Sequence, residues 1–520
     1  MTNSRPSTIL NDVLSPVMRG PSSSSTAGPY FIGRVARSLL GEPVTEATFA
    51  FDAQSNIASV FRAERTDLGL AAGTLGWDMT DERFLDVLDV AAEEGVRLNY
   101  VIEPIAEADH PTTMELRLTG QSGRTLTLTA RSIGGGSMRI IRLDGWRVEL
   151  AGDAHELLVE CRADGESDAL ASMMQDRQIL GDGVERLERD GRVLLLAHRR
   201  APLPTDVMAS LRRQAGVRQV WASPPVFMVP VGRALFASAA EMMAYANKQG
   251  LSLGPAARRY EAMLLGLSEE QVDEEMRRRW GIMLASMEQG FRDDLPTMQL
   301  LQPTAQRLLH AHAQGTLPVG GTHALAAARA MAVMQSNSSS GVVVAAPTGG
   351  AAGIVPAVLA TLAESQGWDE ERVLRGLWAA GGAGLIVANR ATFTASVGGC
   401  QVEVTAAGAM AAAGVVEMAG GSPQQACDAA AIMFQNQMGL VCDPVQGVVE
   451  IPCHTRNAAT ASSAYICAEL ALAGYVNHIP LDEVVDAMYA VGRIITREVQ
   501  CTAERGCSAC PSAKAMPRLR

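Results

Sequence analysis

The chain has 520 residues, 48% of them hydrophobic and only 4% aromatic, with 49 Gly and 24 Met, ample material for a core and, by length, for two to four domains. Its 44 basic and 56 acidic side chains give a formal charge of -12, which excludes nucleic acid as a partner because phosphate binding needs a concentrated basic face. Nine cysteines are too sparse for a disulfide scaffold.

The opening stretch "MTNSRPSTILNDV" carries no basic-then-apolar signal pattern, and the chain reads as a protein of the reducing cytoplasm. Residues 1–147 read as an α+β domain. "GPSSSSTAGPYFIGRVARSLLG" is a Ser/Gly loop opening a helix, its hydroxyls natural caps. "TMELRLTG", "RTLTLTARS" and "SMRIIRLDGWRVEL" alternate apolar and polar residues as strands do, with a glycine turn at "SIGGG", Ser132 to Gly136. Residues 148–228 follow a βαββαβ order: strand "HELLVECRA", helix "SDALASMMQ", a hairpin turning at Asp190-Gly191, helix "TDVMASLRRQ", strand "VRQVWAS". That order fits a ferredoxin-like, ACT-like module. "PPVFMVPVG" reads as a linker.

Residues 233–520 read as an all-α domain. "LFASAAEMMAYANKQ" and "SEEQVDEEMRRRWGIMLASMEQGF" have helical periodicity and good starts, whereas "HALAAARAMAVMQ" is apolar nearly all round, as in a buried bundle. Arg277 to Arg279, beside Glu274 and Glu275, read as a solvated helix face. "VTAAGAMAAAGVVEMAGG", from Val404, reads as a buried core helix because its glycines and Glu417 disfavour a membrane span.

Cys161 in a strand and Cys427 and Cys467 in helices read as small buried hydrophobes. Cys400 ("GGCQ"), Cys442 ("CDP") and Cys453 ("PC") lie in Gly- or Pro-marked loops, and the tail "CTAERGCSACPSA" places Cys507 and Cys510 in a C-x-x-C spacing. Spacing leaves several readings open. The loop cysteines can be incidental. A zinc site lacks paired C-x-x-C or His spacing. Scattered thiolates suit an iron–sulfur cluster better. A redox-active tail dithiol is the other reading. "SSSSTAGP" (Ser22 to Pro29) and "VVAAPTGGAAGIVP" (Val343 to Pro356) suit either anion-binding loops or capped helix starts. No phosphate-loop or dinucleotide fingerprint occurs.

Taken together, "GPSSSSTAGP", "SIGGG", "AAPTGGAAGIVPAVL", "GGCQVEV…AMAAAGVVEMAGG" and "GLVCDPVQGVVEIPCHTRNA" resemble the iron–sulfur-dependent L-serine dehydratases (L-serine ammonia-lyases) over nearly the whole chain. The resemblance implies a β part at 1–147, the ACT-like module at 148–228 and a catalytic α part at 233–520. It implies that Cys400, Cys442 and Cys453 ligate a [4Fe–4S] cluster with one iron open to substrate, and that a tail cysteine, Cys510 or Cys507, covers that iron at rest. It implies elimination of water from L-serine, with hydrolysis to pyruvate and ammonia. Glu64 and Asp67 in "AERTD" are the catalytic candidates. Ser22, Ser23, Ser24, Thr26, Asn337, Thr348 and Gly349 are candidates for the substrate, with Arg456 and Asn457 as further polar groups. The implied partners are a small amino acid and a second copy of the chain, with no membrane. Two histidines of the family pattern are replaced: "SSSHT" has Ser25 at that place, and "GHGTD" has Glu64. The family's "HPN", linked to effector serine, is His110-Pro111-Thr112, and a Glu before "GCQ" is Val397. These departures point to a changed substrate or proton path. The alternatives are another β-hydroxy amino acid such as L-threonine, an L-cysteine desulfidase, or a non-catalytic amino-acid-binding protein.

Overall fold

The computed structural model describes residues 6–106, 108–163, 165–176, 183–295 and 298–519; the first five residues of the opening stretch lie outside them. A single π-helical turn, Ile9–Val13, precedes strand β1 (Val17–Arg19) and a second such turn, Ser23–Ala27. Helix α1 (Gly28–Leu40) starts with Pro29 in its first turn and ends at Gly41, which is left-handed at φ 80°. Strand β2 (Val44–Phe51), helices α2 (Asn56–Val60), α3 (Thr66–Leu75) and α4 (Val87–Glu93), and strands β3 (Arg97–Ile102), β4 (Thr113–Gly120), β5 (Thr125–Gly134), β6 (Ser137–Leu143) and β7 (Trp146–Leu150) follow. They form one six-stranded sheet of order β3-β2-β4-β5-β6-β7. Along β4 the apolar Met114, Leu116 and Leu118 are buried, the alternation that reads as a strand in the sequence. The expected strand "SMRIIRLDGWRVEL" is divided in two by Asp144 and Gly145, both left-handed at φ 44° and 84°.

Glycine lets α1 and α3 touch backbone to backbone. A Cβ on Gly73 would fall 2.1 Å from the Tyr30 carbonyl oxygen, and one on Gly69 2.3 Å from that of Thr26. Gly73→Ala should therefore destabilise the fold by about 1–3 kcal/mol, read as a lower Tm. An unchanged Tm would show that the two helices can separate freely.

Strand β8 (His155–Arg162), helix α5 (Gly165–Asp176), strands β9 (Glu185–Arg189) and β10 (Arg192–Arg199), helix α6 (Thr205–Arg212) and strand β11 (Val217–Ser223) form the second unit. Its sheet has the order β11-β8-β10-β9, with antiparallel neighbours throughout. Period-two alternation splits its apolar residues between two cores. Leu157, Val159, Val193 and Leu195 pack under α5 and α6, while Leu158, Leu194, Leu196 and Trp221 join the core of the six-stranded sheet.

The remaining elements are helical: α7 (Ala239–Gln249), α8 (Leu253–Leu265), α9 (Glu269–Gly290), α10 (Ala305–Ala313), α11 (Gly321–Ser338), α12 (Ile354–Gln366), α13 (Glu370–Arg390), α14 (Ala395–Gly398), α15 (Val404–Met418), α16 (Pro423–Gln437), α17 (Cys453–Leu472) and α18 (Leu481–Ile494). Every residue of α15 is buried, as its small, apolar sequence requires. Among the described residues no helix is long and apolar enough to cross a membrane. The expected all-α half contains one short strand, β12 (Val342–Val344), which pairs with β1. That ribbon brings the serine loop at 22–26 beside the loop at 348–350.

One expectation is overturned here. Arg277 and Arg278 are exposed and paired with Glu370, Glu371 and Glu275, but Arg279 is buried. Its guanidinium donates to the carbonyls of Leu10 and Leu14. Those carbonyls end the π-helical turn Ile9–Val13 and need donors, so this arginine is drawn into the core.

Candidate active site

Loops from both halves of the chain enclose a cavity of about 50 Å³, room for a few water-sized groups. Its helical wall carries Cys400, Cys442, Cys453 and Cys501, all free thiols. Cys400 follows Gly399, whose φ of 76° turns the chain sharply before α15. Cys453 is the first residue of α17, behind Pro452. Cys442 is held by the returning C-terminal segment. Its N–H donates to the Val499 carbonyl at 2.9 Å, and its carbonyl accepts from Cys501 N–H at 2.8 Å. The same segment is tied to the N-terminal half, since Asn56 Nδ2 donates to Gln500 O at 2.8 Å and Arg497 Nη2 to Gln54 O at 2.7 Å. The Cys400 thiol is pushed well above its ordinary pKa by its hydrogen-bonded neighbour Cys442 and by burial. Burial does the same for Cys453.

The opposite wall is acidic and hydroxylic. Ser22 caps the turn Ser23–Ala27, its Oγ accepting from Ser25 N–H at 3.2 Å. Ser22, Ser24 and Ser25 line the cavity beside Glu64. Thr26 Oγ1 donates to the Glu64 carbonyl at 2.7 Å, which fixes the turn that presents the carboxyl. The next residue, Arg65, is left-handed at φ 56°, a strained conformation for a residue with a side chain. Burial raises the Glu64 carboxyl to about 7, against the opposing hydrogen bonds of Ser25 and Ser22. A second carboxyl, Glu403, lines the same cavity. Burial raises it to about 7 as well; the nearby Thr348 hydroxyl opposes this and the Glu64 charge adds to it. Among the described residues no Lys, Arg or His lines the cavity.

The structure separates the sequence candidates into three groups. Cys400, Cys442, Cys453, Ser22, Ser24 and Glu64 meet at the cavity. Ser23, Thr26, Thr348 and Gly349 do not line it but adjoin residues that do: Gly349 N–H donates to Ser23 Oγ at 3.2 Å, and the Thr348 hydroxyl opposes the upward shift of the Glu403 carboxyl. Asp67, Asn337, Arg456, Asn457 and Cys510 do not line the cavity. Asp67 accepts from Leu68 N–H at 2.9 Å at the start of α3, with Arg62 Nη1 at 3.7 Å from its Oδ2. Asn337 Nδ2 donates to the Pro21 carbonyl at 2.7 Å and supports the serine loop from below. Arg456 donates to Val441 O at 2.9 Å and Asp443 Oδ1 at 2.8 Å, beside the Cys442 loop. Asn457 fastens α17 to the 350–353 loop through Gly350 O at 2.8 Å and Gly353 N at 3.2 Å. Cys510 is exposed. Ser508 Oγ, bonded to Asp443 O at 3.1 Å and Pro444 O at 2.7 Å, pins that part of the tail outside the Cys442 loop. The tail cysteine at the cavity is Cys501, held there by its backbone pairing with Cys442.

Sequence reasoning missed Cys501, Glu403, Asn56, Ser396 and the placement of Thr112, all of which line the cavity. Glu403 had a signal: it stands three residues after Cys400 in "GGCQVEV". Cys501 had none, because its approach depends on a long-range backbone pairing. Among the described residues no group of three or more His, Cys, Asp or Glu closes on a single-ion site.

Residues 207–508 match the family described as serine dehydratase alpha chain. Over 252 residues the chain is 38% identical to the probable L-serine dehydratase alpha chain of Bacillus subtilis (strain 168), covering 48% of this chain and 84% of that protein. It is 34% identical over 284 residues to the L-serine dehydratase alpha chain of Peptoniphilus asaccharolyticus, covering 54% of this chain and 96% of that one. It is 35% identical over 278 residues to L-serine dehydratase 1 of Escherichia coli (strain K12), covering 52% and 61%. With its enclosed cavity of thiols and carboxyls, the protein is an enzyme of the lyase class. The chain belongs to the serine dehydratase alpha chain family.

Proposed function

We propose that the protein is a [4Fe–4S]-dependent lyase that dehydrates and deaminates L-serine to pyruvate and ammonia by β-elimination. The observation that carries this reading is the meeting of Cys400, Cys442, Cys453 and Cys501 with Glu64 in one enclosed cavity. The donor chemistry fits the cluster. Several buried free thiols, with no disulfide among them, suit a group that spreads thiolate ligands over separate irons better than a single ion, which needs its donors converged on one point. Cys400, Cys442 and Cys453 would hold the cluster, with Cys501 as the tail thiol beside it. When bound, the cluster supplies a Lewis acid for the substrate's β-hydroxyl.

The chain's own groups do the rest. Ser22, Ser24 and Ser25 offer hydroxyls to the substrate carboxylate. Glu64, desolvated and near neutrality, takes the α-proton. Glu403 repels a second negative charge nearby, so one carboxyl of the pair keeps its proton when the other ionises. That proton is available to the departing hydroxide. The enclosed walls keep out bulk water, which strengthens each of these interactions. Among the described residues no cation lines the cavity, so a substrate with an additional anionic group is disfavoured. The same reading takes residues 1–147 as a β-type domain, 148–228 as an ACT-like module on its βαββαβ order, and 233–520 as the catalytic domain, in a cytoplasmic enzyme.

Anaerobic purification should give a brown protein with about four iron and four sulfide per chain. Ammonia release should be fastest with L-serine in a panel including L-threonine and L-cysteine. A colourless protein holding zinc would overturn the cluster. A panel led by L-threonine would transfer the same chemistry to another β-hydroxy amino acid, the reading that Ser25 and Glu64 in place of histidines favour.

A further inference from the structure

Gly350 lines the cysteine-walled cavity, in the short turn Gly349–Ala351 that follows Thr348. The glycines near it have backbone reasons to be glycine. A Cβ on Gly349 would stand 3.0 Å from the Pro21 carbonyl oxygen, and one on Gly353 2.4 Å from that of Ala330. Gly350 has neither such crowding nor a left-handed φ, so alanine could take its backbone conformation without strain. A Cβ there would meet Val449 Cγ1 at 3.7 Å, Glu403 Oε2 at 3.8 Å and Thr348 Oγ1 at 3.9 Å, all ordinary contact distances. Val449 and Glu403 both line the cavity, so the missing side chain would point into it. In a space of about 50 Å³ one methyl group, similar in size to a water, takes a large share of the room. The walls of this space are fixed. Asn457 Nδ2 donates to the Gly350 carbonyl at 2.8 Å, and Ser338 Oγ donates to the Val449 carbonyl at 2.9 Å.

We infer that Gly350 determines specificity: the space left by its absent Cβ, between Val449 and Glu403, receives the substituent on the β-carbon of the substrate. This rests on the reading of the cavity as the site of β-elimination, and it adds which part of the substrate lies where. In that reading Glu403 protonates the departing hydroxide, so the β-carbon lies beside Glu403 and faces Gly350. The class admitted is an L-amino acid whose β-carbon carries hydrogen or one methyl group besides the leaving group. Val449 gives that methyl an apolar contact, and a longer substituent meets the fixed wall.

Equilibrium dialysis of the full-length protein, kept anaerobic, tests this with L-alanine, L-α-aminobutyrate and L-norvaline, whose β-carbons carry no carbon substituent, a methyl and an ethyl group. None has a leaving group there, so none is consumed by the proposed elimination. The wild type should bind the first two and hold L-norvaline about tenfold or more weakly than L-α-aminobutyrate, the effect of one carbon too many in a fitted pocket. Gly350→Ala should weaken L-α-aminobutyrate relative to L-alanine by about tenfold or more. Val449→Ala, which removes methyl groups facing Gly350, should shift the preference the other way and bring L-norvaline to within about threefold of L-α-aminobutyrate. A change that only loosened the fold would weaken all three ligands alike, so opposite shifts in the two variants mark specificity. If Gly350→Ala does not fold, the shift in Val449→Ala decides. The inference is overturned if the folded variants keep the wild-type ratios, if they weaken all three ligands equally, or if none of the three binds at millimolar concentration. Ammonia release by the same preparation tells the failures apart. Turnover of L-serine with unchanged ratios removes Gly350 from specificity and leaves the β-elimination standing, whereas no turnover of any β-hydroxy amino acid removes that reading and the inference with it.

Discussion

Cys453→Ser should remove both the iron and the turnover, whereas Cys510→Ser should leave both intact. The contrast follows from where the two thiols stand. Cys453 opens α17 at the cavity wall, and Cys510 is exposed on the outer side of the Cys442 loop. Losing the Lewis acid forfeits several kcal/mol of charge stabilisation on the leaving hydroxide, on the order of a 10³-fold fall in rate or more. Cys501→Ser should behave differently from either. It lines the cavity, but it arrives on the C-terminal segment rather than on a packed helix, in a left-handed conformation at φ 62°. The variant should keep its iron, lose it faster in air, and show a lower KM because substrate no longer competes with a thiol. Iron content by colorimetry and turnover before and after air exposure check all three. Full iron retention in Cys453→Ser, or iron loss in Cys510→Ser, would reverse the assignment of the tail thiol and the core ligands.

The sequence makes the thiol wall legible and the acid wall only half so. Cys400, Cys442 and Cys453 stand out because Gly399, Pro444 and Pro452 mark their loops, and such loops are where backbone and thiolates can surround a bound group. Cys501 lies in a tail whose more conspicuous feature is the C-x-x-C of Cys507 and Cys510. Only the pairing of residues 499–501 with Cys442 decides which tail thiol enters, and no local pattern encodes it. Glu403 hides for a related reason: it reads as the polar flank of an apolar helix until the fold sets it against Glu64. Strands with alternating pattern, such as β4, are readable, but β3 is not. It runs parallel to β2 at the sheet edge after a helical crossover, and its place depends on that crossover rather than on its own pattern. Arg279 shows the reverse error, since a charge cluster looks solvated until one member is needed by buried carbonyls. The two departures from the family pattern, Ser25 and Glu64, look independent in the sequence, yet both line one cavity, where the Ser25 hydroxyl opposes the upward shift that burial gives the Glu64 carboxyl. They form one altered site, in which a buried carboxyl steadied by hydroxyls stands where imidazoles stand in the pattern.

That altered site carries the second large effect. Glu64→Gln should lower turnover about 10²- to 10⁴-fold, the range for loss of a positioned general base, while leaving iron content unchanged. The pH dependence gives the sign. Glu64 must be ionised to take the α-proton, and its carboxyl is raised to about 7 mainly by burial, so the rate should fall as pH drops through that region. Glu403, also about 7 and raised in part by Glu64, must keep its proton, so the rate should fall again as pH rises. Because the two carboxyls repel, the protons leave in separate steps that belong to the pair, giving a bell centred near neutrality. Glu64→Gln should erase the acidic limb and Glu403→Gln the alkaline one. Stability offers a reading independent of turnover. A carboxyl whose folded pKa lies above its unfolded value leaves the fold unpenalised below that unfolded value and weakens it as pH rises through the folded one. Glu64→Gln never ionises, so it should match the wild type in Tm near pH 4.5 and exceed it at pH 8, on the ordinary carboxyl range. A purely structural glutamate would lose stability on substitution at both pH values. That outcome, or an intact acidic limb, would remove Glu64 from the proton path.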